Sequence, residues 1–406
     1  MNFLYAIFYF FCLFSYVKIF PNSMDTQPFF IIIGLMIIFF ELINGKFLFK
    51  ANKPIVFFST LVLILSIYNA LFSDSYFIIA RAFSGYVGFV VVSLVSLCGL
   101  KRGLLAEGMI LFSMQLWLLV GLIQYFFGND LFSFLVSVRT SSDRGVTSLA
   151  PEPTFYAFYI TLIYIFYFVV GAVLNWDMKY RKIISISFFF QLILLSKSSM
   201  LIIANALLIV MFLFLKMVFS MRNLDKTTIL TVILSLISPF ILWILAEAGV
   251  MEGTRFEYIM DNLKFGINYV ITKDASINDR VAHIYLSFFG WYSNGFQPGL
   301  FTSYEFFSGN RYALSNGLFW WGARTNRILS FWGSVIYELS YIAIPMFLYI
   351  FSCFKYYLKS NENIYKSLSI VFSLVLLLFL AIPISNPIIA LIFSSMYYFR
   401  FKNKRQ

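Results

Sequence analysis

Apolar residues in this chain do not alternate with polar ones. They run on for about twenty residues at a time, separated by short polar and basic intervals. A helix needs about 20 consecutive apolar residues to cross a bilayer, whereas a barrel strand would alternate weakly over about 10. The pattern therefore predicts twelve helical spans, at 3–20, 28–43, 54–72, 76–98, 104–127, 153–174, 182–196, 198–219, 227–246, 331–351, 367–382 and 387–400. Lys197-Ser198-Ser199 reads either as a tight turn or as a kink inside one broken element, and Pro383 to Pro387 separates the last two spans. The expected fold is an all-α polytopic integral membrane protein, one membrane domain over 1–406, with two longer polar segments at 128–152 and 247–330. No internal repeat and no low-complexity linker interrupts it. The first span is not followed by a small-residue cleavage pattern, so it is expected to be retained rather than removed as a signal peptide.

Composition sharpens this picture. Hydrophobic residues make up 61% of the chain and charged residues 12%, with a mean hydropathy of +0.85. The basic residues are unevenly placed, and orientation follows Lys and Arg in short loops. With both termini in the cytoplasm, the cytoplasmic segments hold eighteen, among them Lys46, Lys50, Lys101, Arg102, Lys179, Arg222, Lys355 and Arg405. The short segments on the other face hold five: Lys18, Arg81, Arg139, Arg144 and Lys197. The net charge of +12 is thus mostly an orientation signal, and no basic soluble face points to nucleic acid. Cys12, Cys98 and Cys353 all lie in apolar runs, without metal-ligand spacing, and no structural disulfide is expected.

The cytoplasmic loops are too short to house a nucleotide-binding domain. No Gly-rich phosphate loop is present, nor any Asp-x-Asp pair. The chain is expected to use no cofactor, no metal and no nucleotide-activated donor. An enzyme of this kind would act on a substrate that is already activated and arrives in the membrane or from outside.

Charge in so apolar a chain marks functional candidates. The stretch from Arg139 to Thr154 packs Arg139, Asp143, Arg144 and Glu152 between two long apolar runs. Pro151 and Pro153 flank Glu152. It is either a helix cap, a role for which Glu is a weak choice, or a carboxylate held rigidly at the lipid–water boundary to act as a base. The long segment 247–330 opens with an amphipathic piece in which Phe256, Ile259, Met260, Leu263 and Ile267 recur at helical spacing, as in helices that lie on a membrane surface. Arg280 and His283 follow, three apart and on one face if helical. His283 is the one histidine in the chain and is either structural or catalytic. Arg139, Arg144, Arg255, Arg280, Arg324 and Arg327 share the outer face; they are either solvated or they hold phosphate through paired planar hydrogen bonds. Glu338 and Arg81 lie a few residues inside expected spans, where an ionisable group needs a partner or a polar cavity. The aromatic residues of 285–321, among them Tyr285, Trp291, Tyr292, Trp320 and Trp321, suit either sugar stacking or an interfacial belt.

Four of these places carry a resemblance. Gly145 through Ala157, centred on Glu152-Pro153-Thr154, resembles the Glu-Pro-Ser/Thr turn of O-antigen polymerases of the Wzy family, part of a wider group that includes the O-antigen ligases. Leu195-Ser-Lys-Ser-Ser-Met-Leu is similar to that family's Ser-Arg-rich turn, with Lys197 where arginine is usual. Asp279-Arg280 resembles the arginine site of its large periplasmic loop. Asn326 through Tyr341, with Glu338, looks like its re-entry segment. The resemblance implies a GT-C-like bundle in the bacterial inner membrane, with 128–152 and 247–330 as the short and large periplasmic loops. It implies a metal-independent glycosyltransferase acting on an undecaprenyl pyrophosphate-linked oligosaccharide, in contact with membrane lipid and served by a chain-length regulator protein. Carried over, Arg280 and Arg144 would hold donor pyrophosphate, assisted by Arg324 or Arg327, with Arg139 and Glu338 also lining the substrate. Glu152 or His283 would activate the acceptor hydroxyl. Ligases of the group carry a His-Asn pair where this chain reads Thr325-Asn326, which weighs against the ligase alternative. A lipid-linked oligosaccharide flippase is the third reading; long outer loops and nearly charge-free spans weigh against it.

Overall fold

The computed structural model describes residues 1–19, 25–45, 53–72, 76–140, 145–219, 255–300, 317–320, 328–360, 363–380 and 382–402, with single positions at 233, 237 and 244. Among the described residues the regular structure is entirely helical, and five helices are long and apolar enough to cross a membrane. Helices fall in all the expected ranges except 227–246, which, apart from those single positions, lies outside the described residues. Some are shorter than expected. Helix α1 covers Asn2–Leu13, 12 residues, or about 18 Å at 1.5 Å per residue, which falls short of the ~30 Å hydrocarbon core. It stops because the chain turns at Phe14 and residues 14–19 leave the helical path.

The chain divides into two compact units. The first is assembled from residues 1–201, 341–361 and 382–406. It contains α1, α2 (Phe29–Ile43), α3 (Lys53–Phe72), α4 (Tyr76–Lys101), α5 (Glu107–Phe127), α6 (Pro153–Leu174) and α7 (Arg181–Phe190). Helix α8 (Ser199–Phe219) follows across the boundary. The remaining helices of this first unit are α13 (Ile344–Ser360) and α15 (Pro387–Lys402).

Helix α6 begins at Pro153, whose fixed φ and missing N–H suit a first turn. It ends at Asn175 in the left-handed conformation, with φ 53°, a common helix stop. Nearly every side chain of α6 is buried, as expected of a helix that is apolar all round and sits inside a bundle. Helices α2, α3 and α5 instead expose Leu35, Phe39, Leu63, Ile67, Phe112 and Leu119. Apolar display on this scale is a liability in water and is ordinary solvation in lipid. Small residues let the backbones close in: a methyl on Gly88 of α4 would stand 3.2 Å from the Phe30 ring, and one on Gly99 would run into the Tyr9 hydroxyl. Glu41 of α2 is buried, accepts from the Tyr5 hydroxyl at 3.1 Å and is paired with Arg102.

The second unit comprises residues 202–340 and 362–381. Its described helices beyond α8 are α9 (Arg255–Leu263), α10 (Ile267–Lys273), α11 (Ala275–Ser293), α12 (Phe331–Ser334) and α14 (Ile364–Phe379). Asp274 starts α11: its carboxylate accepts from the Ile277 N–H at 2.9 Å, the N-cap bond that short polar side chains supply. Asn278 ties the start of α11 to its surroundings, donating to the carbonyls of Ile271 at 3.0 Å and Leu318 at 2.8 Å. Ala282, Leu286 and Phe319 form a small core. The amphipathic piece divides at Gly266 into α9 and α10, and Leu263, Phe265 and Ile267 are exposed.

The expected span at 331–351 is not one continuous helix. Val335–Leu339 wind as a wider π turn, and Ser340 takes a positive φ of 48°. Ser340–Ala343 then make a tight turn that leads into α13 (Ile344–Ser360). A second π turn, Gln191–Leu195, extends α7. It is followed by Lys197 at φ 46°, so Lys197-Ser198-Ser199 is a turn between two helices. π turns of this kind occur disproportionately where a helix has a functional constraint. The last helix, α15 (Pro387–Lys402), packs in the first unit against α4, α6 and α13, and its side chains are buried along nearly its whole length.

Candidate functional site

In the first unit the structure brings Arg139 and Glu152 together. The chain leaves α5 at Gly128, makes one tight turn at Asn129–Phe132, and returns to the start of α6. Arg139 donates its backbone N–H to the Pro151 carbonyl at 2.7 Å, which sets its side chain beside the next residue, Glu152. Its Nε lies 3.3 Å from Glu152 Oε1, and a terminal nitrogen lies 3.0 Å from Asp25 Oδ2. Glu152 occupies the N-cap position of α6, yet its carboxylate makes no capping bond; it faces Arg139 instead. Burial alone would lower the Arg139 guanidinium, but Asp25 and then Glu152 beside it hold it above its ordinary value. Arg139 therefore remains a cation throughout the biological pH range.

Hydrogen bonds tie down the support beneath this triad. The loop carrying Asp25 is tied by Gln27 N–H to Ser15 O at 2.7 Å, and Lys18 N–H donates to Leu135 O at 2.8 Å. The Lys18 ammonium also bonds the Ser137 hydroxyl. Ser148, at φ 50°, is held by Gln124: its N–H donates to Gln124 Oε1 at 2.6 Å, and Gln124 Nε2 donates to Ser148 O at 3.1 Å. One turn into α6, the Tyr156 hydroxyl donates to Gln191 Oε1 at 2.8 Å, in the π turn. Trp117 stacks on Tyr156 with ring centres 5.7 Å apart. Gly145 lies against the end of the π turn. Val146 N–H donates to Leu195 O at 2.9 Å, and a side-chain carbon on Gly145 would collide with the Ser196 and Leu195 carbonyls. Lys197 sits over the Tyr125 ring at 5.9 Å.

The other candidates with described side chains lie in the second unit. Helix α11 carries Arg280 and His283 three apart, as expected. Arg280 is half-buried and His283 is buried. The His283 contacts run to Leu329 and Asp279: Nδ1 accepts from the Leu329 N–H at 3.4 Å, and Nε2 lies 3.7 Å from Asp279 Oδ1. A neutral ring with Nδ1 accepting carries its proton on Nε2, so His283 would have to leave one partner before acting as a base. Glu338 is buried in the Val335–Leu339 π turn, where its own carbonyl accepts from Leu300 N–H at 3.0 Å. The Trp291 indole donates to Ser340 Oγ at 2.9 Å, and the Trp320 indole to Thr272 O at 2.6 Å, so both rings are held by their polar edges.

No protein-family model, curated protein or solved structure matches the chain. The site is therefore read from its own chemistry. Arg144, Arg324, Arg327 and Trp321 lie outside the described residues, as do the side chains of Arg81 and Arg255. Among the described residues no group of three or more His, Cys, Asp or Glu is placed to hold a metal. The triad offers a partly exposed carboxylate, a fixed cation and an anchoring acid: an arrangement able to accept a proton beside a bound anion. Asp25, Gln124 and Gln191 are functional or supporting residues that the sequence pattern did not single out. Their common signal is a polar residue standing alone in an apolar run or a charge-poor loop.

Proposed function

We propose that the protein is a bacterial surface-polysaccharide polymerase of the inner membrane. It transfers a growing glycan from undecaprenyl pyrophosphate to a lipid-linked repeat unit at the periplasmic face. The observation that carries this reading is the contact between Arg139 and Glu152 at the start of α6, 3.3 Å across. It sets a candidate base and a phosphate-type cation side by side at the start of α6. In the proposed reaction the acceptor hydroxyl oxygen bonds to the donor's anomeric carbon as the bond from that carbon to pyrophosphate oxygen breaks. Glu152 takes the hydroxyl proton, and the carrier leaves as the pyrophosphate anion, stabilised by arginine. Preorganised cations at a developing anion are usually the largest catalytic contribution. Arg139 fills that role in this reading; Arg144, Arg280, Arg324, Arg327 and Glu338 are candidates that rest on the sequence alone. The proposal also includes twelve spans, a GT-C-like bundle, both termini in the cytoplasm and service by a separate chain-length regulator.

Deletion of the gene tests the reading on a lipopolysaccharide gel beside an extract of lipid-linked intermediates. Core carrying a single repeat, with the ladder gone, supports the polymerase. Bare core with long polymer on the carrier indicates a ligase, and bare core with single lipid-linked units trapped on the inner face indicates a flippase. Complementation with Glu152→Gln is expected to leave the ladder absent while the protein accumulates in the membrane. A normal ladder would remove Glu152 from the mechanism.

A further inference from the structure

Arg139 answers to two carboxylates that are not equivalent. Asp25 is the more deeply placed, with 10% of its side chain exposed, and it meets a terminal guanidinium nitrogen at 3.0 Å. Glu152 is 24% exposed and meets Nε at 3.3 Å. The Asp25 loop is itself bonded down through Gln27 to Ser15, and Lys18, earlier in the chain, is bonded to Leu135. Arg139 keeps 48% of its side chain exposed, so an anion arriving from solvent or from the membrane surface can reach it. Exposed ion pairs of this length are worth little. A pyrophosphate brings more charge than a carboxylate, and its oxygens match the planar donors of a guanidinium.

We infer that Asp25 is a positioning residue that fixes Arg139, and that the Arg139–Glu152 pair is a latch which a pyrophosphate-bearing ligand opens by replacing Glu152. The inference rests on the polymerase reading and adds an order of events to it. With no donor bound, the Arg139 guanidinium occupies the Glu152 carboxylate and keeps an acceptor hydroxyl from it. Once the donor pyrophosphate takes the guanidinium, Glu152 is released beside it and is able to accept the acceptor's proton. The base is thus unmasked only when there is a chain to transfer.

The test measures binding, not turnover. The full-length protein is placed in phosphatidylcholine nanodiscs and titrated with inorganic pyrophosphate, then with undecaprenyl pyrophosphate. Glu152→Gln removes the competing charge and is expected to tighten binding of both about threefold to tenfold, although the same variant loses polymer formation. Asp25→Asn is expected to weaken binding about tenfold, and Arg139→Gln to abolish it. Unchanged or weaker binding by Glu152→Gln overturns the latch, and wild-type affinity in Asp25→Asn overturns the positioning role. Glu152→Gln is nearly isosteric, so the inference stays testable even if Asp25→Asn does not fold. Repeating the titration in phosphatidylglycerol nanodiscs separates the sources of phosphate. Binding that persists there supports the carrier pyrophosphate, and binding abolished there overturns that assignment. An intact ladder in the deletion strain would remove the polymerase reading while these affinities still report on the latch.

Discussion

Replacing Gly145 with alanine is expected to unseat the loop that carries the candidate site. The new carbon would overlap the carbonyl oxygen and carbon of Ser196 and the carbonyl oxygen of Leu195. All three are backbone atoms at the end of a π turn, so no flexible side chain is available to swing aside. Either the loop or the turn must move, and the hydrogen bond from Val146 N–H to Leu195 O, 2.9 Å long, breaks first. That bond is worth about 1 kcal/mol net, and overpacking a close approach costs about 1–3 kcal/mol, so the total is about 2–4 kcal/mol. The assay is thermal unfolding of purified protein in detergent, followed by intrinsic fluorescence, alongside the polysaccharide ladder in cells. Gly108→Ala is the control: nothing lies within 4 Å of a carbon placed there, and alanine in a helix gains at most about 1 kcal/mol over glycine. Gly145→Ala melting with the wild type, with its ladder intact, would refute the close-approach reasoning.

Two further outcomes are expected. Glu41→Leu should destabilise by about 1–3 kcal/mol, because the buried Tyr5 hydroxyl loses its 3.1 Å acceptor while Arg102, exposed, can turn to solvent; adding Tyr5→Phe should recover most of the loss, and a double variant as unstable as the single would show that the hydroxyl is not responsible. Tyr156→Phe should cost about 1–3 kcal/mol by leaving Gln191 Oε1 without its 2.8 Å donor, seen as a lowered unfolding midpoint, and an unchanged midpoint would mean that another donor reaches Gln191.

Helix positions were readable from the sequence because long apolar runs have few alternatives in a chain this hydrophobic. The start of α6 was readable to the residue, since Pro153 permits a first turn and little else. The breaks were not. Nothing in Val335–Leu339 or Gln191–Leu195 distinguishes a π turn from ordinary helix by periodicity, because both are largely apolar runs. The positive φ at Ser340 and Lys197 falls on residues that carry no glycine-like signal. The capping bond considered for Glu152 is not made: its carboxylate meets Arg139 rather than the helix start. Asp25 stands 114 residues from Arg139 in the chain, and no local pattern relates them. Helical spacing does place His283 and Arg280 three apart on α11, but the charged side chain that the imidazole meets is Asp279, four residues back. Arg144, Arg324 and Arg327 remain expectations from sequence alone.

Helix α15 has a bearing on how the protein is made. It lies buried against α4 and α6 in the first unit, yet the ribosome produces it long after both. Until Pro387–Lys402 arrives, the faces of α4 and α6 that will receive it have no mate. Lys402 then completes the far end of α6, donating to Val173 O at 3.0 Å and Asn175 Oδ1 at 2.6 Å. Assembly of the first unit therefore waits for α15 even if each helix inserts as it emerges. A nascent chain released just before Pro387 would offer the membrane proteases an open seam beside the very helix that begins at the candidate site. Pairing so distant in sequence is slow to form, and the partly assembled bundle is the stage at which such chains are most exposed to misassembly.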